Sequence, residues 1–200
     1  MGMPEVRIED YLDRKTLILG DVNTGKTTLS RGVLEALCRQ GFGGRTAVVD
    51  MAPEIPETLA RARGIPGAGG RLIPPEGCGV LYLGGWLEPP RLSSNSEEEA
   101  MQKARRNRRE IEGFLRRLDS EPREILLVND VSLYLQAGGS EAFIPRLERA
   151  DTVVANGYWG ERLGGGLLSG CERSEMQSLR DYFDRIGRTL ILKGHPVADR

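Results

Sequence analysis

Histidine, cysteine and lysine are all scarce in this chain, and each scarcity narrows what it can be. The one histidine, His195, lies in the tail Gly194-His195-Pro196, which leaves no His/Cys cluster of the kind that holds zinc. Cys38, Cys78 and Cys171 are far apart, odd in number and without C-x-x-C spacing. They read as reduced thiols of a cytoplasmic protein rather than a disulfide framework. The only lysines are Lys15, Lys26, Lys103 and Lys193, in a chain with 28 Lys and Arg. No apolar run approaches the roughly 20 residues of a membrane-spanning helix. The N-terminus has no apolar signal region, so the expectation is a soluble protein that stays in the cytoplasm and off the membrane. The formal net charge of −1 gives no overall field to draw in nucleic acid or an anionic surface.

What is present is a core and a rhythm. With 200 residues, 39% of them hydrophobic, the chain suits a single domain over 1–200, and it shows no internal repeat. Short continuous apolar runs alternate with helical patterns. The runs are 16–19, 46–49, 80–83, 125–128, 152–155 and 189–192. Helices are expected over 26–40, 53–63, 97–118, 141–149 and 172–186. Segments 64–79, 89–96 (around Pro89-Pro90 and the serines) and 164–166 read as loops. Runs that are apolar throughout, rather than alternating, imply a sheet covered on both faces. The fold class is therefore α/β: a doubly wound, mostly parallel sheet flanked by helices, with ligands at the C-terminal ends of the strands.

Directly after the first strand comes Gly20-Asp21-Val22-Asn23-Thr24-Gly25-Lys26-Thr27-Thr28, the pattern G-x-x-x-x-G-K-[ST] of a phosphate-binding P-loop. Gly20 and Gly25 allow sharp turns and close backbone approach to a ligand. The N–H groups of the loop form an anion nest, reinforced by the N-terminus of the helix beginning near Lys26. Lys26 is the point charge for β- and γ-phosphates, and Thr27 supplies a hydroxyl to Mg²⁺.

Three further residues stand at expected strand ends: Asp50, Asp130 and Asn156. Asp130 follows four apolar residues and Asn129, as in a Walker B motif, and is the first candidate for a carboxylate that holds Mg²⁺. Asp50 is the second candidate, through water or as a general base. Lys26, Asp50 and Asp130 are thus the catalytic candidates, with Thr27, Asp130 and Asp50 around the metal.

On these residues the chain resembles a P-loop NTPase of the kinase–GTPase division, and within it the SIMIBI class, whose members carry an acidic residue at the end of the second strand. The specific part of the resemblance is Gly20 to Thr28. Val131 after Asp130 departs from the motor ATPases, which usually place a catalytic Glu there. The resemblance implies ATP or GTP with Mg²⁺, and an NTPase or nucleotide switch. Asn156-Gly157-Tyr158-Trp159 is similar to the base-contacting segment of such proteins, which makes Asn156 a nucleotide-binding candidate. Gly157 and Trp159 replace the Lys and Asp of the guanine motif, favouring ATP. A narrower similarity is to polynucleotide 5′-hydroxyl kinases, through Asp50-Met51-Ala52-Pro53-Glu54 and the segment Leu81 to Trp86, although the second Asp, Gly and Gln of that family are absent here. It implies transfer to a nucleic-acid 5′-hydroxyl or a small-molecule hydroxyl as an alternative. A non-catalytic nucleotide-binding assembly module is another.

The long helix carries Lys103, Arg105, Arg106, Arg108, Arg109, Arg116 and Arg117. These could clamp RNA phosphates, but interleaved glutamates favour pairing on a solvated face. An RNA or protein partner and a homodimer both stay open at this level.

Overall fold

Six strands form one sheet: β1 (Lys15–Gly20), β2 (Thr46–Asp50), β3 (Leu81–Gly84), β4 (Ile125–Asn129), β5 (Thr152–Tyr158) and β6 (Arg188–Leu192). The computed structural model describes residues 6–65 and 70–193; His195 and part of the 64–79 loop lie outside them. The strand order is β3-β2-β4-β5-β1-β6, and every pairing is parallel. β1 therefore lies between β5 and β6, and β5 separates it from β4.

The apolar strands are explained by cover on both sides. Along β1, Leu17 and Leu19 enter one core while Ile18 enters the other. The same alternation puts Val49, Val128 and Val153 on the first side and Val48, Leu127 and Val154 on the second. Helix α1 (Lys26–Arg39) covers the second side with Val33, Leu34 and Leu37, across β1, β4 and β5. On the first side lie α4 (Glu97–Ser120), α5 (Ser132–Leu135), α6 (Ser140–Glu148) and α7 (Leu167–Ile186). Two short helices, α2 (Glu57–Ala62) and α3 (Pro90–Ser93), complete the described elements.

The α4 stripe Ala104, Ile111, Leu115 and Leu118 is buried, as its spacing predicts. Ser96 caps the helix by accepting from the Glu99 N–H at 3.2 Å, and three glutamates in the first turn suit its dipole. Much of its basic cluster is drawn into the fold. Lys103 pairs with Glu99 at 2.8 Å and donates to the Ser93 carbonyl at 2.6 Å. Arg106 pairs with Glu88 at 3.3 Å, and Arg117 with Glu121. Arg108 donates to the Ala137 carbonyl at 2.7 Å and lies over the Tyr134 ring. Arg105, Arg109 and Arg116 remain exposed.

Several boundaries differ from the sequence expectation. The segment around Pro89-Pro90 holds a helical turn, since a proline at the first helical position loses no hydrogen bond. α2 begins only at Glu57, because Pro56 restrains the residue before it to extended backbone. α7 starts five residues earlier than expected, where Leu168 finds a buried site against Ala100 and Ala104. β5 continues past Asn156 to Tyr158, held by the neighbouring β1: Ile18 pairs with Asn156, Leu19 with Gly157 and Gly20 with Tyr158. Among the described residues, no helix is long and apolar enough to cross a membrane.

Candidate functional site

The loop between β1 and α1 takes its shape from two left-handed residues. Asn23 has φ 61° and Gly25 has φ 88°. Gly20 is required for space: a Cβ there would lie 2.5 Å from Thr24 Oγ1 and 2.7 Å from the Leu192 carbonyl oxygen. Asp21 anchors the loop rather than lining the cavity. Its side chain accepts from the Val22 N–H at 2.6 Å, and its carbonyl accepts from Thr24 Oγ1 at 3.0 Å and Lys26 Nζ at 2.6 Å. Burial pulls the Lys26 ammonium below its ordinary pKa, while Asp130 and Asp21 oppose that shift. Residues Val22 to Thr28 line one wall of a cavity of about 260 Å³, with Asp130 and Asn156 also at its surface. Backbone turned inward at a helix N-terminus, beside a lysine, is an arrangement suited to an anion.

Gly25→Ala tests the loop geometry in isolation. An added Cβ would meet nothing within 4 Å, so the cost is that of a left-handed non-glycine residue, about 1–2 kcal/mol. The urea midpoint against wild type measures it, and an unchanged midpoint would refute the left-handed turn.

Under the loop, the strand ends are tied by a buried polar network centred on Asn129. Its Oδ1 accepts from Asn156 Nδ2 at 2.9 Å and from Thr27 Oγ1 at 3.4 Å. Its Nδ2 donates to Asp50 Oδ1 at 2.8 Å and to the Gly70 carbonyl at 2.9 Å. Asn156 also donates to Ser30 Oγ at 2.9 Å and accepts from the Asp130 N–H at 3.0 Å. Asn156 thus stands within a strand, 1% exposed, with its amide engaged on β4 and α1. This placement does not offer the amide to a nucleotide base.

The structure separates the two aspartates. Asp50 is 1% exposed and lies outside the cavity lining. Its carboxylate accepts from the Ala52 N–H at 3.2 Å, the Leu72 N–H at 2.8 Å, Tyr82 Oη at 2.9 Å and Asn129 Nδ2. Burial, and then Asp50 itself, pushes the Tyr82 hydroxyl up to about 12, so Tyr82 keeps its donor proton. Four donors on one carboxylate leave Asp50 no open direction toward a metal or a substrate proton. Asp130 is different. It is held at φ 55°, an uncommon conformation that non-glycine residues often adopt at functional sites. It faces the cavity and accepts from Ser132 Oγ. Burial raises its pKa above the usual carboxylate range, against the pull of the Ser132 hydroxyl and Lys26.

A second cluster lines the same cavity, and its members had no signal in the sequence. Arg91 stands in a turn that reads as loop, Gln136 just beyond α5, and Glu172 within α7. Arg91 pairs with Glu172 at 3.0 Å, with side chains 9% and 5% exposed, and its guanidinium lies 5.5 Å from the Tyr158 ring centre. Gln136 Nε2 donates to the other Glu172 oxygen at 2.9 Å. Burial pushes Glu172 up to about 7, although Arg91 and Gln136 pull it down. A raised carboxyl pKa means that the folded state binds the proton more tightly than the unfolded chain. The associated stability is full below pH 4.5, the ordinary value, and is lost as pH rises through about 7. Glu172→Gln should therefore flatten the fall in stability across that interval, as read from urea midpoints at pH 4.5, 6 and 7.5. Parallel wild-type and variant profiles would refute the shift.

No protein-family model matches the chain, and a search of curated proteins finds no significant match.

Proposed function

We propose that the chain is a P-loop nucleoside-triphosphate-binding protein and NTPase that works with Mg²⁺ and prefers ATP to GTP. The observation that carries this reading is the strand–loop–helix turn from Gly20 to Thr28, with left-handed Asn23 and Gly25, lining a cavity together with Asp130. The N–H groups of the loop bind phosphate oxygens, and the Lys26 ammonium moves from the Asp21 carbonyl to the β- and γ-phosphates.

The donors also fit the metal. Thr27 and Asp130 line the cavity with a hydroxyl and a carboxylate, the oxygen ligands a hard cation takes. Mg²⁺ usually keeps waters and substrate phosphates for the remaining positions. Among the described residues, no three His, Cys, Asp or Glu side chains gather to hold a metal on their own, which suits an ion that arrives with the nucleotide. When bound, Mg²⁺ neutralises charge on the phosphates. Asp50 keeps the strand ends together instead.

The preference for ATP rests on position 159. Trp159 stands where a guanine-reading carboxylate would be needed, and its ring lies against Arg173 and Arg180. The pairing of α4's basic side chains within the fold weakens the case for an RNA partner. Thermal denaturation with Mg²⁺ and either nucleotide tests the reading. ATP at a hundred times its Kd should add about 2.7 kcal/mol, a shift of several degrees, and GTP at the same concentration should add less. No shift with either nucleotide would sink it.

A further inference from the structure

One end of the cavity is not needed to bind phosphate. Lys26 serves the β- and γ-phosphates in the reading above. Asp130 is close enough to Lys26 and Arg91 for both to act on its carboxyl, and Asp130 in turn acts on Glu172. Lys26, Asp130, Arg91 and Glu172 therefore lead along the cavity away from the loop, past the position of a γ-phosphate.

Two buried atoms at this end have no partner: Arg91 Nε, a donor, and Gln136 Oε1, an acceptor. The Arg91 side chain is 9% exposed and Gln136 is 6% exposed, and both line the cavity. Polar atoms left unmade in such surroundings are costly. The charges nearby are already matched, Arg91 by Glu172. An added anion would meet Glu172, and an added cation would meet Arg91. A neutral group that both accepts and donates satisfies the two open atoms, and a hydroxyl does both. The depth of these side chains favours a small molecule over a polymer end, and Leu92 and Leu133 at the cavity wall suit its carbon skeleton.

We propose that this end of the cavity binds a neutral, hydroxyl-bearing small molecule, to which the γ-phosphoryl group of the bound nucleotide is transferred. The proposal rests on the nucleotide-binding reading above. In the transfer, the ligand's hydroxyl oxygen forms a bond to the γ-phosphorus. The bond from that phosphorus to the β,γ-bridging oxygen breaks, and the nucleoside diphosphate leaves with the electron pair. The hydroxyl proton passes to the Glu172 carboxylate. Burial sets that carboxyl at about 7, the range in which a general base works at neutral pH.

The test measures ADP release from ATP and Mg²⁺ with glycerol, D-ribose or adenosine as acceptor, with phosphorus NMR to identify the product and a fluorescent ATP analogue to measure nucleotide binding. At least one acceptor should raise ADP release by about tenfold or more and appear phosphorylated. Gln136→Leu should raise the KM for that acceptor by about tenfold, the effect of one lost hydrogen bond. Glu172→Gln should lower kcat by about a hundredfold while leaving that KM near wild type. Both variants should bind the ATP analogue as wild type does, which shows that fold and loop are intact. Analogue binding with no acceleration by any of the three acceptors would overturn the proposal. So would acceleration that is equal in wild type and both variants. Failure of wild type to bind the analogue would overturn the nucleotide reading and the proposal with it.

Discussion

Lys26→Ala is expected to lower γ-phosphate release from ATP by about a hundredfold or more, with thermal stability almost unchanged. The first part follows from charge. A preorganised donor aimed at developing negative charge in a partly dry site accounts for about two to three orders of magnitude in rate. Burial already holds the Lys26 ammonium below its ordinary pKa, so it is poorly solvated before any phosphate arrives and gains strongly from meeting one. The second part follows from its present partner. Nζ donates to the Asp21 carbonyl, and the loop is also fixed there by Thr24 Oγ1 and by Asp21 on the Val22 N–H. Release of labelled phosphate by the two proteins, with melting curves beside it, makes the measurement. Equal rates would remove the NTPase reading. A large drop in melting temperature would show instead that the lysine holds the loop together.

Asp50→Ala should cost about 3–5 kcal/mol of stability, the range for removing one partner of a buried, paired charge. The carboxylate is 1% exposed and accepts from four donors. Its loss strands the Ala52 and Leu72 N–H groups, the Tyr82 hydroxyl and one hydrogen of Asn129 in a space that water cannot readily fill, and unmade buried donors are expensive. Urea denaturation measures this directly. The variant also separates two roles for the residue. A metal ligand or general base would lose activity on replacement with little loss of fold. A structural anchor loses fold first, and Asp50→Asn, which keeps two acceptor directions, should recover part of the stability. An Asp50→Ala protein as stable as wild type would refute the anchoring role.

The two aspartates show where sequence reading stops. Both end apolar runs, and both look alike as letters. What distinguishes them is the direction each side chain takes. That depends on the Leu72 N–H, Tyr82 and Asn129 converging on Asp50 from distant parts of the chain, and on the left-handed turn that faces Asp130 into the cavity. Asn156 is a similar case. Its strand runs two residues further because β1 lies beside it and offers Leu19 and Gly20 for pairing, so its amide serves the network under the loop. Arg91, Gln136 and Glu172 could not have been chosen from the sequence at all. A buried charge looks like any other charge until the packing of α3 and α7 is known.

The sequence by itself determined the α/β class, the alternation of elements and the place of the glycine-rich loop between the first strand and its helix. These follow from local physics: apolar runs covered on both faces, helical periodicity, and a backbone turn that needs glycine at Gly20 and Gly25. Only the tertiary structure decided that β5 separates β1 from β4, that Asp50 anchors while Asp130 faces the cavity, and that a second buried polar cluster shares that cavity. Those outcomes depend on which distant donors and acceptors meet in a low-dielectric interior, where each unmade hydrogen bond is costly, and no local pattern in the chain encodes that meeting.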